Sequence, residues 1–123
     1  MPISILHVGL PLDHPAIPPG EREKVAQRLR DLTERMLLAG YNYAVVSINP
    51  DGGIDGFKEL LRMRPCDGVL IGGGVVGDPA MSYFMEQIVN ATHEVLPEAK
   101  IMFYSHSADV RETVERWFPP QTI

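Results

Sequence analysis

One segment of the 123-residue chain, residues 66–79, limits the possible fold more than any other. It reads Cys-Asp-Gly-Val-Leu-Ile-Gly-Gly-Gly-Val-Val-Gly-Asp-Pro, an apolar run at residues 69–71 followed by three glycines. An apolar run without alternation is typical of a strand that is buried on both faces. Asp78 and Pro79 then suit a helix start, because aspartate accepts from free backbone N–H groups and proline needs no partner at the first helical position.

Strand and helix patterns alternate along the whole chain. Apolar runs predict strands at residues 3–8, 43–48, 69–71 and 100–105, and helical spacing predicts helices at 21–39, 54–63, 79–96 and from a Ser107 cap to 118. Such alternation folds as a parallel sheet with helices on both faces and right-handed crossovers. We predict a single α/β domain over residues 1–123, with three layers and a four-stranded parallel sheet in the order 2-1-3-4. This architecture is flavodoxin-like without the fifth strand.

Charge and cysteine content restrict the environment and the partners. The net charge is −5 and no basic run occurs, which argues against binding to nucleic acid or to an anionic membrane surface. The single cysteine, Cys66, excludes an internal disulfide and fits a reducing compartment. No apolar run approaches the roughly 20 residues that span a bilayer, and no basic segment precedes the first apolar residues. We therefore expect a cytoplasmic protein.

The predicted strand order places a ligand site. The order 2-1-3-4 reverses between strands 1 and 3, and ligands of open α/β sheets bind at such a reversal, beyond the carboxyl ends of the strands. The two most unusual loops, residues 9–20 and 72–78, follow those strands. Candidate ligand-binding residues there and after strand 4 are Gly9, Gly72, Gly73, Gly74, Gly77, Asp78, Ser105 and Ser107. Backbone N–H groups before a helix suit a phosphate or carboxylate, although a turn that only lets strand and helix pack closely fits the same glycines.

Three side chains at the same end of the sheet are candidates for catalysis: Asp13 and His14 in the first loop, and His106 after strand 4. A histidine with a carboxylate can serve as a general base near neutral pH. Their spacing matches no metal motif, so no metal site is predicted. The sequence does not identify a cofactor, and it leaves open whether the protein is an enzyme. His7 is interpreted as a hydrogen-bonded core histidine, and Cys66 as a small core residue.

Part of the chain resembles a known family. The segment of residues 67–79 described above is followed by matching positions at Phe84, Glu86, Val89-Asn90 and Pro97. On these residues, the section 67–118 resembles a family of small uncharacterised bacterial and fungal proteins that are Rossmann-like or flavodoxin-like. In that family an arginine often stands where this chain has Val76, and asparagine usually stands where it has Ser105. The resemblance implies the fold and the location of the site, and implies no activity.

The strand order is also similar to that of response-regulator receiver domains. Receivers carry an acidic cluster after strand 1 and a phosphate-accepting aspartate at the end of strand 3. Here those places hold Gly9-Leu10 and Gly72-Gly73, and the fifth strand with its lysine is missing. The likeness therefore implies the fold without its phospho-acceptor site.

Two functional hypotheses follow from the sequence. In the first, the protein binds a small anionic ligand, a phosphate or a carboxylate, between the loops after strands 1 and 3, with or without catalysis. In the second, it is a non-catalytic, homodimeric interaction module. Strand 4 would be a sheet edge that is apolar on both faces at residues 101–104, and Trp117 and Phe118 add apolar bulk at the end of the last helix. Because exposed edges invite pairing, we predict a homodimer through strand 4 and the last helix.

Overall fold

The computed structural model describes residues 2–120. Its regular elements in chain order are β1 (Ser4–Gly9), α1 (Arg22–Leu38), β2 (Asn42–Ser47), α2 (Ile54–Met63), β3 (Gly68–Ile71), α3 (Gly73–Val76), α4 (Ser82–Val95), β4 (Lys100–Phe103) and α5 (Val110–Trp117). Single 3-10 turns at Pro19–Glu21 and Pro79–Met81 lead into α1 and α4. Within residues 2–120, none of the helices is both long and apolar enough to cross a bilayer.

The four strands form one parallel sheet in the order β2-β1-β3-β4. This confirms the predicted order 2-1-3-4 and the flavodoxin-like architecture. In β1, Val8 lies opposite Val46 of β2 and Ile71 of β3. All four residues of β3 are buried, as the apolar run in the sequence predicted for a strand covered on both faces.

The two faces of the sheet carry separate apolar cores, which makes the domain three-layered. Side chains of α2 and α4, such as Phe57 and Ile88, pack with Val8 and Val69 on one face. Side chains of α1 and α5, such as Met36 and Val114, pack with Ile5 and Leu70 on the other. Neighbouring residues of a strand point to opposite faces, so β1 and β3 contribute to both cores.

The glycine segment, residues 72–77, forms a short helix where the sequence indicated only a turn. The amide of Gly72 donates to the carbonyl of Val8, which ties the end of β3 to β1, and the amide of Gly77 donates to the carbonyl of Gly73 to close α3. Asp78 caps the next helical turn as predicted, because its side chain accepts from the amide of Ala80 at 2.9 Å.

The predicted cap of the last helix was wrong. Ser107 does not cap α5; its hydroxyl lies 2.9 Å from that of Ser105, whose oxygen also accepts from the Ser107 amide. Asp109 is the cap, and its side chain accepts from the amide of Arg111. Both serine and aspartate are common at the N-cap of a helix. The helix starts two residues later than the sequence indicated.

The two large side chains at the end of α5 differ in their exposure. Trp117 is 51% exposed, whereas Phe118 is partly buried against the α1/α5 core. The Phe118 carbonyl accepts a hydrogen bond of 2.6 Å from the Tyr41 hydroxyl, and this bond fixes the chain where the helix ends.

Asp109 has a second role that allows the cap to be tested. Its two carboxylate oxygens accept from the Arg35 guanidinium of α1 at 3.1 and 3.3 Å. Partial burial raises the pKa of this carboxyl, but the bonds from Arg35 and from the Arg111 amide outweigh it, so the pKa is lowered overall.

We expect Asp109→Ala to lower the free energy of unfolding by about 1 kcal/mol, the usual effect of losing a cap. Asp109→Asn keeps a capping oxygen and loses the charge that pairs with Arg35, so it should cost less, since exposed ion pairs contribute little. Urea unfolding at neutral pH measures both values. Equal losses in the two variants would show that the ion pair, and not the cap, stabilises the start of α5.

Candidate functional site

A cavity of about 470 Å³ lies at the carboxyl ends of β1 and β3. The first half of α1 covers it, the loop after β1 and the glycine segment border it, and residues after β4 complete its wall. This is the switch point at which the sheet order reverses. Gly9, Gly72 and Gly73 contribute only backbone to the wall, so these positions supply no side chain that could fill the space.

Most side chains around the cavity are apolar. Leu12 and Ile17 reach it from the first loop, and Val25, Ala26 and Leu29 from α1. Polar groups are fewer, namely His7, Ser47, Tyr104, His106, Arg28 and Arg30. Apolar walls with a few polar groups are usual for small-molecule sites, which span roughly 300–1,000 Å³.

His7 lies at the sheet side of the cavity and is only 5% exposed. Its Nδ1 atom forms a hydrogen bond with the Tyr43 hydroxyl of β2, and the two rings meet edge to face with centroids 5.8 Å apart. Burial lowers the pKa of His7 to about 4 and raises that of Tyr43. Both side chains are therefore neutral at physiological pH.

Gly72, Gly73 and Gly74 differ in how much space a side chain would find at each position. A Cβ atom at Gly72 would lie 2.9 Å from Nε2 of His7 and 3.1 Å from the Val8 carbonyl oxygen, so only glycine fits there. A Cβ atom at Gly73 would lie 2.8 Å from the Tyr104 ring. At Gly74 the nearest atom would be Leu10 Cδ1 at an ordinary 3.6 Å, so packing does not require glycine at that position.

Two amides of the glycine segment have no hydrogen-bond partner among the described residues. The amides of Val75 and Val76 donate to the Gly72 carbonyl, and that of Gly77 to the Gly73 carbonyl. Gly73 and Gly74 are the first residues of α3, so their amides have no partner inside the helix. Both residues line the cavity.

The turn after β4 brings one candidate catalytic residue to the site. His106 is exposed, lines the cavity and meets the Tyr104 ring edge to face at 5.1 Å. Ser105 and Ser107 hydrogen-bond to each other and are not part of the lining. Asp78 is likewise outside the lining, occupied with its cap.

Asp13 and His14 do not line the cavity. The His14 ring accepts from the Ala16 amide at 3.0 Å, and the Asp13 carbonyl oxygen accepts from the Arg22 guanidinium at 3.2 Å. Of the three candidate catalytic residues, the structure brings only His106 to the cavity. Among residues 2–120, no three His, Cys, Asp or Glu side chains lie close enough together to hold a metal ion.

No protein-family model matches the chain, and no curated protein matches it in sequence. The resemblance of residues 67–118 to small flavodoxin-like proteins therefore stays a prediction. Any functional proposal depends on the geometry of the cavity.

The buried, neutral state of His7 predicts a pH dependence of stability. Its folded pKa of about 4 lies below the unfolded value near 6.5, so the unfolded chain binds the proton more readily. Stability should therefore fall as the pH is lowered from about 6.5 towards 4, and this contribution should level off below that. Between pH 7 and 5 the loss is about 2 kcal/mol.

We expect His7→Asn, which keeps a polar partner for Tyr43 but does not titrate, to lose this part of the pH dependence in urea unfolding. Besides the partner Tyr43, the ionisable side chains that line the same cavity as His7 are Tyr104, His106, Arg28 and Arg30. His106 is a second histidine at the cavity, so His106→Asn is measured in parallel. His93→Asn, on an exposed position of α4, is the control. A His7→Asn curve parallel to that of the wild type would contradict the neutral state of His7.

Proposed function

We propose that the protein binds a small molecule with an apolar body and one anionic group, a carboxylate or a phosphate, in the cavity between β1, β3 and α1. The observation that carries the proposal is the cavity of about 470 Å³ at the switch point of the sheet. Open α/β sheets bind their ligands at this position. The sequence predicted the same position from the two loops that follow β1 and β3.

The distribution of side chains supports this kind of ligand. Aliphatic groups of α1 and the first loop, such as Val25, Leu29 and Ile17, would contact the apolar body. The amides of Gly73 and Gly74 would face the anionic group, with the Arg28 guanidinium contributing from α1. Among the described residues, Arg28 makes no ion pair or side-chain hydrogen bond, whereas Arg30 is paired with Glu23 and Gln27.

If the ligand is also transformed, His106 is the group best placed to exchange a proton with it. It lines the cavity and is exposed to solvent, so it can return the proton to water. His7 is less suited to this role because its low pKa makes it a weak base. The earlier hypothesis of Asp13 and His14 as its partners would require the first loop to move toward the cavity.

We expect aromatic and aliphatic carboxylates or phosphate esters to bind, and Ala26→Phe to abolish this binding by filling the cavity from α1. Ala80→Phe, at an exposed position away from the cavity, is the control and should bind as the wild type does.

Arg28→Gln should weaken the binding of carboxylates and leave the binding of their neutral amides unaffected. Arg62→Gln, on an exposed position of α2, controls for net charge.

Thermal-shift measurements followed by NMR titration read out these changes. Folded Ala26→Phe protein that binds as tightly as the wild type would show that the cavity is not the site. Equal effects of Arg28→Gln on carboxylates and amides would contradict the proposed role of the charge.

The second candidate function, a homodimeric interaction module, is favoured by the edge formed by β4. Within residues 2–120 only β3 pairs with this strand, and Phe103 on it is 43% exposed. Trp117 of α5 is 51% exposed nearby, with the Lys100 ammonium 6.0 Å from its ring centre. Exposed apolar side chains beside an open strand edge are typical of a surface that pairs with another chain.

For this candidate we expect light scattering at micromolar concentration to give the mass of a dimer, and Phe103→Glu to give that of a monomer. The new charge would have to be buried without a partner at the β4 edge. Leu38→Glu, which changes an 82% exposed leucine of α1, should leave the dimer intact. A monomeric wild-type protein would refute the dimer.

A further inference from the structure

The bond between His7 and Tyr43 determines where the imidazole carries its proton. Among the described residues it is the only side-chain hydrogen bond that either ring makes. Tyr43 is only 4% exposed, so if Nδ1 donated to the hydroxyl oxygen, the hydroxyl proton would be buried without an acceptor. A buried donor without a partner is costly. The hydroxyl therefore donates, and Nδ1 accepts.

The proton of the neutral ring then lies on Nε2. Nε2 is next to the backbone of Gly72, and the ring lines the cavity. Within residues 2–120, Arg22 Nε is the one fully buried side-chain nitrogen or oxygen that has no hydrogen-bond partner. Nε2 of His7 also has no partner, so its absence from that group means that it is not fully buried. Because His7 lines the cavity, we take Nε2 to be open to that space.

We infer that His7 is a specificity-determining residue of this cavity, whose Nε2–H donates a hydrogen bond to a carbonyl or carboxylate oxygen of the bound molecule. The inference rests on the proposed function and narrows its ligand class. The amides of Gly73 and Gly74 and the Arg28 side chain are further donors among the residues that line the cavity. An amine or ammonium group next to His7 would set a donor against Nε2–H, whereas an acceptor oxygen there would complete the hydrogen bond.

The first part of the test needs no ligand. Long-range ¹H–¹⁵N NMR correlations of the wild-type protein at pH 7 distinguish a protonated from an unprotonated ring nitrogen. We expect Nε2 of His7 to be protonated and Nδ1 to be unprotonated. Tyr43→Phe removes the hydroxyl and should allow both tautomers. A proton on Nδ1 in the wild-type protein would overturn the inference.

The second part uses three probes with the same aromatic body: phenylacetate, phenylacetamide and phenethylamine. NMR titration of the wild-type protein should show binding of the two that carry an acceptor oxygen, and none of the amine. Two substitutions of His7 test the donor. The side-chain amide of asparagine at position 7 would lie near the position of Nδ1, and that of glutamine would reach the position of Nε2. His7→Asn should therefore bind phenylacetate about fivefold to tenfold more weakly, the effect of one lost hydrogen bond. His7→Gln should recover most of the affinity, and His93→Asn should not change it.

The outcomes separate the inference from the proposed function. Binding of phenylacetate that is equal in wild type and folded His7→Asn would refute the role of His7 and leave the cavity as a binding site. Failure of all three probes to bind the wild-type protein would refute both. If His7→Asn does not fold, the tautomer of the wild-type ring and the shift of its Nε2 signal on adding phenylacetate decide the question: no shift on binding would overturn the inference.

Discussion

The close approach of β1 and β3 at their carboxyl ends is the constraint on which the rest of the structure depends. The Gly72 amide donates to the Val8 carbonyl, and a side chain at position 72 would collide with that carbonyl and with His7. Because β3 is buried on both faces, helices must cover both sides of the sheet. The chain leaves β3 through α3, which contacts both β1 and α4, and the glycine segment therefore lies beside Leu10 in the loop that follows β1.

The same constraint explains why a cavity exists on the α1 face. His7 and Gly9 are two residues apart on β1, so they point to the same side. Gly9 has no side chain to occupy the space above His7, and Gly72 and Gly73 cannot accept one without displacing His7 or Tyr104. The aliphatic side chains of α1 then form a cover over a space that the sheet does not fill. A polar pair, His7 with Tyr43, is tolerated beneath it because the two side chains hydrogen-bond to each other and the second ring nitrogen of His7 is not fully buried.

Local patterns were sufficient to predict the sheet order and the end of the sheet at which the cavity lies, because both depend on short apolar runs and glycines whose roles are set by neighbouring residues. Distant contacts were not predictable in this way. The partner of His7 is 36 positions away, so the sequence indicated a core histidine and missed its place at the cavity. Ser107 and Asp109 both suit a cap, and the path of the turn after β4 selects Asp109. Asp13 and His14 lie in a proline-rich loop whose path no local periodicity determines.

The two candidate functions involve different surfaces that meet at one residue. Phe103 and Trp117 do not line the cavity, but Tyr104, which does, follows Phe103 directly. The Tyr104 amide still donates to the Ile71 carbonyl, so its backbone continues the β3–β4 ladder. A second copy paired along β4 would therefore lie beside a residue that lines the cavity. If that contact changes the position of the Tyr104 ring, ligand binding and dimerisation must alter each other by the same free energy, since coupling between two binding events is reciprocal.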